Sequence, residues 1–511
     1  MRNAHAVADV RAAEHALMAL VPDGALMQRA AAGLASVCAD LLGGIYGSRV
    51  VVLAGTGDNG GDALFAGARL AGRGARVTAV QTGSALHESG AAALRQSGGR
   101  FAEATGSMAA DAIAAADLII DGILGIGGRG GLREPAATLA AHTARAAQEG
   151  TVVVATDLPS GVEADTGAVP GAAVRADVTV TFGSIKPGLL IDPGATYAGT
   201  VKLIDIGLGP HLSAPPAVSA MQAVDVAELL PRPGPESDKY RRGVLGVLAG
   251  SQKYTGAAVL SVGGAIRGGA GMVRLVSARA AADVVRQHWP EAVITVIDSA
   301  DGAGGAGPAA IKAAGRVQAW VAGPGLGTDE EAAELLATVL ATTLPVLVDA
   351  DGLTVLSQHK ELLSRPAGAT TLVTPHAGEL ARLTGSVPDD IEAHRLDAAR
   401  RAAADLGVTV LLKGSTTVIA TPESGKGEPA FVNPTGTPWL ATAGSGDVLS
   451  GLAGALLAQG VTPARTAAAA AAFLHGLAGR LAARDAPIGA ADVLTAIPDA
   501  FRRVAFAADS D

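Results

Sequence analysis

The stretch Ala443-Gly444-Ser445-Gly446-Asp447-Val448-Leu449-Ser450-Gly451 leads directly into a long, apolar, alanine-rich segment. Glycine-flanked amides at the start of a helix form an anion site, because their N–H groups point at the ligand and the helix dipole favours negative charge. Asp447 inside this site can take a proton from an attacking hydroxyl. Phosphoryl transfer needs both features, so the stretch predicts a phosphoryl-transfer site with Asp447 as its base.

Short apolar runs precede this stretch and alternate with helical segments. The alternation predicts βαβ units and a mainly parallel sheet covered by helices on both faces. The predicted strands are 244–249, 273–276, 293–297, 317–322, 345–348, 371–373 and 408–412. A buried helix is predicted over 466–483, the most membrane-like stretch of the chain, because His475, Gly476, Gly479 and Arg480 interrupt its alanines.

Five further motifs lie in the same half of the chain. They are Ser251-Gln252-Lys253-Tyr254-Thr255-Gly256-Ala257, Gly323-Pro324-Gly325-Leu326-Gly327, Asp349-Ala350-Asp351-Gly352-Leu353, Thr374-Pro375-His376-Ala377-Gly378-Glu379 and Lys413-Gly414-Ser415-Thr416-Thr417. The 443–451 stretch resembles the ribokinase-like fold, and all six motifs together resemble the nucleotide-dependent NAD(P)H-hydrate dehydratases over about 224–498. We therefore expect a ribokinase-like, three-layer α/β domain over 224–511.

The resemblance implies roles for particular residues. The hydrated cofactor would contact Ala257, Gly325, Gly327, His376 and Asp447, and the adenine nucleotide would contact Lys413, Gly414, Ser415, Thr416, Thr417 and Gly446. Asp447 would remove the C6 hydroxyl proton as that oxygen attacks the terminal phosphoryl group, and loss of the phosphate would restore the nicotinamide ring. Magnesium would shield the phosphate charge, although no short motif identifies its ligands.

Several of these residues have simpler explanations. His376 could merely bond a loop at a strand end, and Lys413 could be structural. Asp349 and Asp351 could only order their turn, so they stay outside the catalytic set. The residues leave ADP and ATP open as donors, and resemblance to bacterial members favours ADP.

The first half of the chain shows a second α/β series. Its predicted strands are 49–54, 76–81, 118–121, 151–157, 177–182 and 201–206. Helices are expected before Arg49, and a proline-rich stretch after Gly207 contains the expected boundary. We expect a Rossmann-like, three-layer domain over 1–215, unrelated to the second domain.

The first strand of this series runs into Gly55-Thr56-Gly57-Asp58-Asn59-Gly60-Gly61-Asp62, and a helix is predicted from about Ala63. The glycine spacing satisfies a dinucleotide-binding fingerprint. However, the next strand ends in Gln81-Thr82-Gly83, where a Rossmann dehydrogenase would place an acidic residue for the ribose. An ordinary nicotinamide dehydrogenase is therefore disfavoured.

Three more strand ends carry polar or glycine-rich motifs. They are Asp121 followed by Gly125-Ile126-Gly127-Gly128-Arg129-Gly130-Gly131, then Asp157-Leu158-Pro159-Ser160-Gly161, and Lys186-Pro187-Gly188. Carboxyl ends of parallel strands converge on one crevice, where ligands bind. This region resembles the NAD(P)H-hydrate epimerase family from Val10 to about Leu208. The family's Asn-Asn-Gly-Gly-Asp loop corresponds to 58–62, where Asp58 departs from the pattern.

The epimerase resemblance implies a second set of roles. Asn59, Asp121 and Ser160 would supply oxygen ligands to potassium. The hydrated cofactor would contact Asp58, Asn59, Gly60, Gly61, Asp62, Gly125, Ile126, Gly127, Gly128, Arg129, Gly130, Gly131, Asp157 and Lys186. Asp157 would accept and return a proton as catalytic residue. A simpler interpretation has Asp157 capping the next turn and Lys186 in solvent.

Composition and charge indicate which partners and which cellular compartment to expect. The formal net charge of −9 argues against a nucleic-acid or anionic-membrane surface. Cys38 is the only cysteine, so an intrachain disulfide is impossible and a reducing cytoplasm fits. The first ten residues lack the apolar core of a secretory signal. We expect a cytoplasmic homo-oligomer without a nucleic-acid or membrane partner.

These observations predict a bifunctional enzyme of metabolite repair, both isomerase and lyase. It would interconvert the R and S hydrates of NADH and NADPH, and would dehydrate the S hydrate with ADP, releasing AMP and phosphate. Two alternatives stay open. The second domain could be a vitamin or sugar kinase with a stable phosphorylated product, or the first could be a binding module that has lost its chemistry.

Overall fold

The computed structural model describes residues 1–297 and 306–508. Contacts along the chain divide it into two compact units, Asn3–Val218 and Ser219–Asp511 together with Met1–Arg2. Each unit is an α/β structure built around its own parallel or mainly parallel sheet. The expected fold class is therefore confirmed.

Regular elements of the first unit follow the predicted series. Strand β1 (Arg2–Ala4) belongs to the larger sheet described below. The described strands of the first unit's sheet are β2 (Arg49–Ala54), β3 (Arg76–Gln81), β4 (Arg100–Glu103), β5 (Leu118–Gly122), β6 (Val152–Thr156), β7 (Val178–Phe182) and β8 (Thr200–Ile204). Its helices are α1 (Val7–Met18), α2 (Ala25–Leu42), α3 (Asp58–Gly72), α4 (Glu88–Gln96), α5 (Ser107–Ala114), α6 (Ala136–Gln148) and α7 (Gly194–Ala198). The sequence did not predict β4, because a short edge strand with charged ends and one buried residue carries little hydrophobic signal.

The first sheet is parallel throughout, in the order β4-β3-β2-β5-β6-β7-β8. Alternate residues of β2 enter different cores: Val50 and Val52 pack on one face, and Val51 and Leu53 on the other. Helices cover both faces, which explains the continuous apolar run. Strand order reverses between β2 and β5, and ligands bind at such a switch point in open α/β sheets.

Helix α3 begins at Asp58, so the prediction of a helix from about Ala63 is wrong at this end. Gly60 and Gly61 suggested a loop, since glycine inside a helix costs about 1 kcal/mol relative to alanine. Close approach explains them instead: a Cβ at Gly60 would lie 2.3 Å from the Gly55 carbonyl oxygen. Asn59 and Asp62 therefore project from a helix and are held more firmly than loop residues.

Elements of the second unit complete the chain. Its described strands are β9 (Val218–Ala220), β10 (Val244–Leu248), β11 (Met272–Ala278), β12 (Val293–Ile297), β13 (Ala319–Ala322), β14 (Val346–Val348), β15 (Thr371–Val373), β16 (Thr409–Leu412), β17 (Thr417–Ala420) and β18 (Ala430–Asn433). Its helices are α8 (Ala223–Leu229), α9 (Thr255–Arg267), α10 (Arg279–His288), α11 (Ala306–Ala313), α12 (Glu330–Leu340), α13 (Asp351–Gln358), α14 (Ala377–Thr384), α15 (Pro388–Ala393), α16 (Arg395–Leu406), α17 (Ser445–Ala458), α18 (Ala464–Ala483) and α19 (Ala490–Ala508).

The larger sheet has the order β1-β9-β18-β17-β16-β15-β14-β13-β10-β11-β12. Pairing is parallel from β12 through β16, and β17 pairs antiparallel with both β16 and β18. Strands β17 and β18 were not predicted, because each has only four residues and no helix separates them from β16. The order reverses between β10 and β13, which places this unit's switch point there.

Helices α9 and α17 pack backbone against backbone. A Cβ at Gly451 would lie 2.0 Å from the Ser261 carbonyl oxygen, and one at Gly264 would lie 2.4 Å from the Val448 carbonyl oxygen. Glycine is therefore required at both positions. Aromatic residues form only 3% of the chain, and close contact between small residues provides the dense packing that large rings provide elsewhere.

The predicted buried helix over 466–483 is confirmed as α18, with most of its alanines buried. The stretch that comes nearest to a membrane span is a different one. Among the described helices, α2 alone has the length and mean hydropathy, 1.2, to cross a membrane. Its Leu34 and Cys38 belong to the core formed by β2 and its neighbours, so α2 is a core helix of the first unit.

Candidate active sites

Asp121 and Ser160 lie side by side at the switch point of the first sheet. The Ser160 amide donates to Asp121 Oδ2 at 2.8 Å, and the Ser160 hydroxyl donates to Oδ1 at 2.6 Å. Asp121 is fully buried, and burial raises its pKa to about 6 although Ser160 opposes the shift. A buried carboxylate in this position would be stabilised by a cation.

Asn59 joins this pair through the backbone of Leu124. Asn59 Nδ2 donates to the Leu124 carbonyl oxygen at 3.0 Å, and the Leu124 amide donates to Ser160 Oγ at 2.9 Å. A Cβ at Gly125 would lie 3.3 Å from Asn59 Oδ1, so glycine there keeps the amide accessible. The structure thus brings together the three residues expected to bind potassium, and the donor set consists of oxygens, which suits a hard cation.

Asp157 and Lys186 form a buried ion pair beyond the ends of β6 and β7. The Lys186 ammonium is 1% exposed, contacts Asp157 Oδ1 and also donates to Thr181 Oγ1 at 3.0 Å and the Phe182 carbonyl oxygen at 3.2 Å. Asp157 also accepts from Thr181 Oγ1 at 3.0 Å and the Phe182 amide at 3.2 Å. The interpretation of Lys186 as a lysine in solvent is therefore wrong, and the Asp157 carboxylate binds β7 instead of capping the next turn.

The backbone at Asp157 is strained. Its φ of +65° lies in the left-handed region, which a non-glycine residue seldom adopts. Such conformations persist only where surrounding contacts enforce them, and they concentrate at functional sites. The contacts with β7 and Lys186 supply that enforcement.

Asp62 lies in the same neighbourhood, on α3. Its side chain is buried, and its Oδ1 has no hydrogen-bond partner among the described residues. Burial, with the negative charges of Asp157, Asp58 and Glu14, raises the pKa of Asp62 well above its usual range. Sequence analysis did not identify Glu14, which has no motif around it but whose charge on α1 acts on Asp62.

Other residues predicted to contact the hydrated cofactor in the first unit differ in exposure. Asp58 and Arg129 are exposed, whereas Ile126 is partly buried against the core. Gly130 has a φ of +74°, and a Cβ at Gly131 would lie 2.6 Å from Gly171 Cα. The glycine run from 125 to 131 therefore follows a path that side chains would obstruct.

In the second unit, Asp447 is the third residue of α17. Gly444 precedes the helix as its N-cap, with a φ of +85°, and a Cβ there would lie 2.4 Å from Leu260 Cδ1. Burial and the neighbouring Asp349 carboxylate raise the pKa of Asp447 to about 7, against the opposing effect of Lys413. A carboxylate with a pKa near neutrality is well matched to proton abstraction.

Lys413 and Asp349 form the polar centre beside Asp447. Lys413 Nζ lies 2.7 Å from Asp349 Oδ1 and 3.7 Å from Glu379 Oε2. The Ser450 hydroxyl donates to Asp349 Oδ2 at 2.6 Å. A Cβ at Gly446 would lie 3.2 Å from Lys413 Nζ, so the ammonium sits over the start of α17. Such an ammonium beside free helix amides suits a phosphate.

The turn-forming explanation of Asp349 and Asp351 is incomplete. Asp349 is 1% exposed and binds Lys413 and Ser450, so it belongs to the site. Asp351 Oδ2 accepts from the Gly327 amide at 3.0 Å and so ties two motifs together. In the sequence, both aspartates are visible only as residues that follow a strand. Aspartates that merely form a turn occupy the same kind of position.

The motifs after β10 and β13 meet at the switch point. Gly325 has a φ of +60°, and a Cβ there would lie 2.8 Å from the Ala257 Cβ and 2.9 Å from the Tyr254 Cβ. The Gly250 amide donates to the Pro324 carbonyl oxygen at 2.8 Å. Ala257, Gly325 and Gly327 are thus brought together as one surface.

His376 caps helix α14. Its Nδ1 accepts from the Gly378 amide at 3.0 Å, and its own amide donates to Glu379 Oε2 at 2.8 Å. The imidazole is 57% exposed and free to meet a ligand with Nε2, which lies 3.6 Å from Glu379 Oε1. Both the loop-bonding interpretation and a substrate contact are compatible with this geometry.

Arg395 supports the 413–417 segment from behind, a role that sequence analysis missed. It is buried, and it donates to the Lys413 carbonyl oxygen at 2.6 Å and the Thr416 carbonyl oxygen at 3.0 Å. A Cβ at Gly414 would lie 1.9 Å from Arg395 Nη2, which explains the glycine. Ser415 is exposed at the tip of the segment.

Comparisons with known proteins agree with this division. Residues 245–499 match the family model described as NAD(P)H-hydrate dehydratase, and residues 23–188 match that of the YjeF-related protein N-terminus. A ribokinase-like superfamily protein from Enterococcus faecalis is 25% identical, with a TM-score of 0.50, and covers 57% of this chain and 97% of its own.

Similarity to curated proteins extends over nearly the whole chain. The bifunctional NAD(P)H-hydrate repair enzyme Nnr of Mycobacterium tuberculosis is 48% identical over 475 residues, 92% of each chain. The Nnr enzyme of Mycobacterium leprae is 48% identical over 491 residues, 95% of each chain. The resemblance found in the motifs is confirmed, and the chain belongs to the family of bifunctional NAD(P)H-hydrate repair enzymes.

Proposed function

We propose that the first unit interconverts the R and S hydrates of NADH and NADPH, and that the second dehydrates the S hydrate with ADP as phosphoryl donor. The observation that carries the proposal is Asp447, a half-buried carboxylate at the start of α17 with its pKa raised to about 7 beside Lys413. Fusion has a clear use: the dehydratase accepts one epimer, and the epimerase supplies it from the other.

In the dehydratase, Asp447 takes the proton of the C6 hydroxyl while that oxygen forms a bond to the β-phosphorus of ADP. The bond between this phosphorus and the bridging oxygen breaks, and AMP leaves. Next, the C6–O bond breaks as phosphate departs, and the C5 proton passes to the departing phosphate, which restores the dihydronicotinamide. Lys413, Gly446 and the 413–417 segment hold the nucleotide, and Ala257, Gly325, Gly327 and His376 hold the hydrate.

Magnesium fits this scheme as a companion of the nucleotide. No group of three His, Cys, Asp or Glu side chains in 1–297 and 306–508 is arranged as a metal site. Magnesium commonly binds through substrate phosphates with only one or two carboxylates. It would neutralise phosphate charge, and Asp349 and Glu379 are the acidic side chains that lie beside Lys413.

In the epimerase, Asn59, Asp121 and Ser160 would hold potassium, which offsets the charge of a fully buried carboxylate. Asp157 would exchange a proton with the C6 oxygen, and Lys186 is its ion-pair partner. Asp58, the 125–131 loop and the start of α3 would contact the rest of the cofactor. We expect the protein to act in the cytoplasm as a homo-oligomer, in line with its single buried cysteine and net charge of −9.

The test is incubation of the purified full chain with each epimer of hydrated NADH, with ADP, ATP or no nucleotide. Reduced-cofactor absorbance should recover from the S epimer only when nucleotide is present, and from the R epimer at a rate set by epimerisation. AMP and phosphate should appear in equal amounts with ADP. Accumulation of a stable phosphorylated compound would instead identify a vitamin or sugar kinase.

A further inference from the structure

Asp62 is a buried acid that the proposed mechanism does not use. It is 9% exposed, and its Oδ1 has no hydrogen-bond partner among the described residues. An ionised carboxylate in that state would lose its hydration without compensation, which is costly. Burial without a partner therefore favours the neutral form of the side chain, and it raises the pKa of Asp62 well above its usual range.

Charges around Asp62 also favour its neutral form. Carboxylates approach from three elements: Asp58 on its own helix, Glu14 on α1 and Asp157 after β6. Lys186 is the nearby cation that acts on it, but its ammonium donates to Asp157, Thr181 and Phe182. Asp157 thus has a cationic partner and Asp62 does not.

Two neighbouring acids with opposite protonation states are the usual requirement for paired acid and base catalysis. We propose that protonated Asp62 is the general acid of the epimerase and ionised Asp157 is its base. This inference rests on the proposed epimerase function and assigns Asp62 a chemical role beyond contact with the substrate.

Asp62 donates its proton to the C6 hydroxyl, and the C6–O bond breaks with help from the electron pair of the ring nitrogen. Water departs, and a cationic C6=N1 bond remains. A water molecule then adds to the opposite face of C6, and its extra proton passes to Asp157. Each turnover moves one proton from Asp62 to Asp157, and exchange with solvent or a turnover in reverse restores the starting state.

The decisive variant is Asp62→Asn, which keeps the size of the side chain but removes the transferable proton. Epimerisation should fall on the order of 10²–10⁴-fold, as for loss of a general acid. Affinity for the R hydrate of NADH, measured by calorimetry, should change only a few-fold. Dehydration of the S hydrate by the same preparation should match the parent. Asp111→Asn, an exposed aspartate on α5, is the matched control and should epimerise normally.

A pH profile separates acid catalysis from a purely structural contribution. Because the acid must be protonated, parent epimerisation should decline as pH rises through the pKa of Asp62, and the slow Asp62→Asn reaction should lack that decline. Parent-like rates in Asp62→Asn, or an unchanged alkaline limb, would overturn the proposal. A parent that does not epimerise at all would instead overturn the proposed function.

A direct measurement covers the case in which Asp62→Asn fails to fold. Carboxyl ¹³C NMR of the parent, labelled at aspartate, should show one buried aspartate in the first unit that stays protonated above neutral pH. Its assignment to Asp62 can be checked by loss of the signal in Asp62→Glu. An Asp62 carboxyl that is ionised at neutral pH would exclude it as the acid.

Discussion

Lys413 Nζ lies 2.7 Å from Asp349 Oδ1, although the two residues are 64 positions apart in the chain. Asp349 also accepts from the Ser450 hydroxyl on α17 at 2.6 Å. One buried carboxylate therefore connects the end of β14, the end of β16 and the helix that carries Asp447. Lys413 is held over the amides of that helix, where a phosphate would bind.

We predict that Asp349→Asn destabilises the second unit by about 3–5 kcal/mol, because loss of one partner leaves a largely buried ammonium poorly compensated. Urea unfolding of the full chain, followed by a probe in the second unit, measures the change. Asp283→Asn is the control, since the exposed Asp283–Arg286 pair should contribute at most about 1 kcal/mol. Equal changes in the free energy of unfolding for the two substitutions would show that the buried pair stabilises the protein no more than the exposed pair does.

Asp447→Asn should reduce dehydration on the order of 10²–10⁴-fold, the usual cost of losing a general base. Nucleotide affinity should change little, because the Gly446 amide and the 413–417 segment remain. Single-turnover repair of the S hydrate with saturating ADP, together with calorimetric ADP binding on the same sample, tests this. Repair at the parent rate with normal binding would exclude Asp447 as the base.

Dehydration should depend on pH through the same group. The base acts when ionised, and its pKa is raised to about 7, so the rate should rise with pH, reach half of its maximum at about 7 and level off above that pH. Asp349→Asn removes a negative neighbour that raises the pKa of Asp447, and it should therefore move the midpoint to lower pH. A parent dehydration rate that does not change between about pH 5 and about pH 8, on either side of this pKa, would contradict the assignment of Asp447 as the base.

Asp157→Ala should abolish interconversion of the two epimers and leave dehydration of the S hydrate nearly intact, because the units have separate cores. Asp157→Asn is a more conservative substitution, because its side-chain oxygen can still accept a hydrogen bond from the Phe182 amide. Separate assays of epimerisation and dehydration on each preparation supply the comparison. Parallel loss of both activities would indicate a folding defect.

Replacement of potassium by a larger organic cation such as choline should weaken epimerisation more than dehydration. Asn59, Asp121 and Ser160 lie together with oxygen donors, and the pKa of Asp121, raised to about 6 by burial, shows that its charge needs compensation. Rates at constant ionic strength provide the measurement. Insensitivity of both reactions to the cation would leave the three residues with a structural role.

Local patterns in the sequence were enough to predict much of the architecture. The runs 49–54 and 76–81 became β2 and β3 without change, because a strand buried on both faces needs a continuous apolar run. Gly444 marked the start of α17, since its positive φ and the nearby Leu260 side chain leave no room for a Cβ there. Motifs at strand ends could be grouped into two sites, because parallel strands bring their carboxyl ends to one edge.

Tertiary structure alone decided the protonation and pairing of the acids. Burial of Asp62, Asp121 and Asp349 depends on helices and strands that are distant in the chain, and no local spacing in the sequence encodes this burial. The pairing of Lys186 with Asp157 and of Lys413 with Asp349 likewise joins residues 29 and 64 positions apart. The sequence by itself determined which chemical groups reach each site, and the fold determined how strongly burial acts on each of them, because desolvation is a property of the whole packed unit.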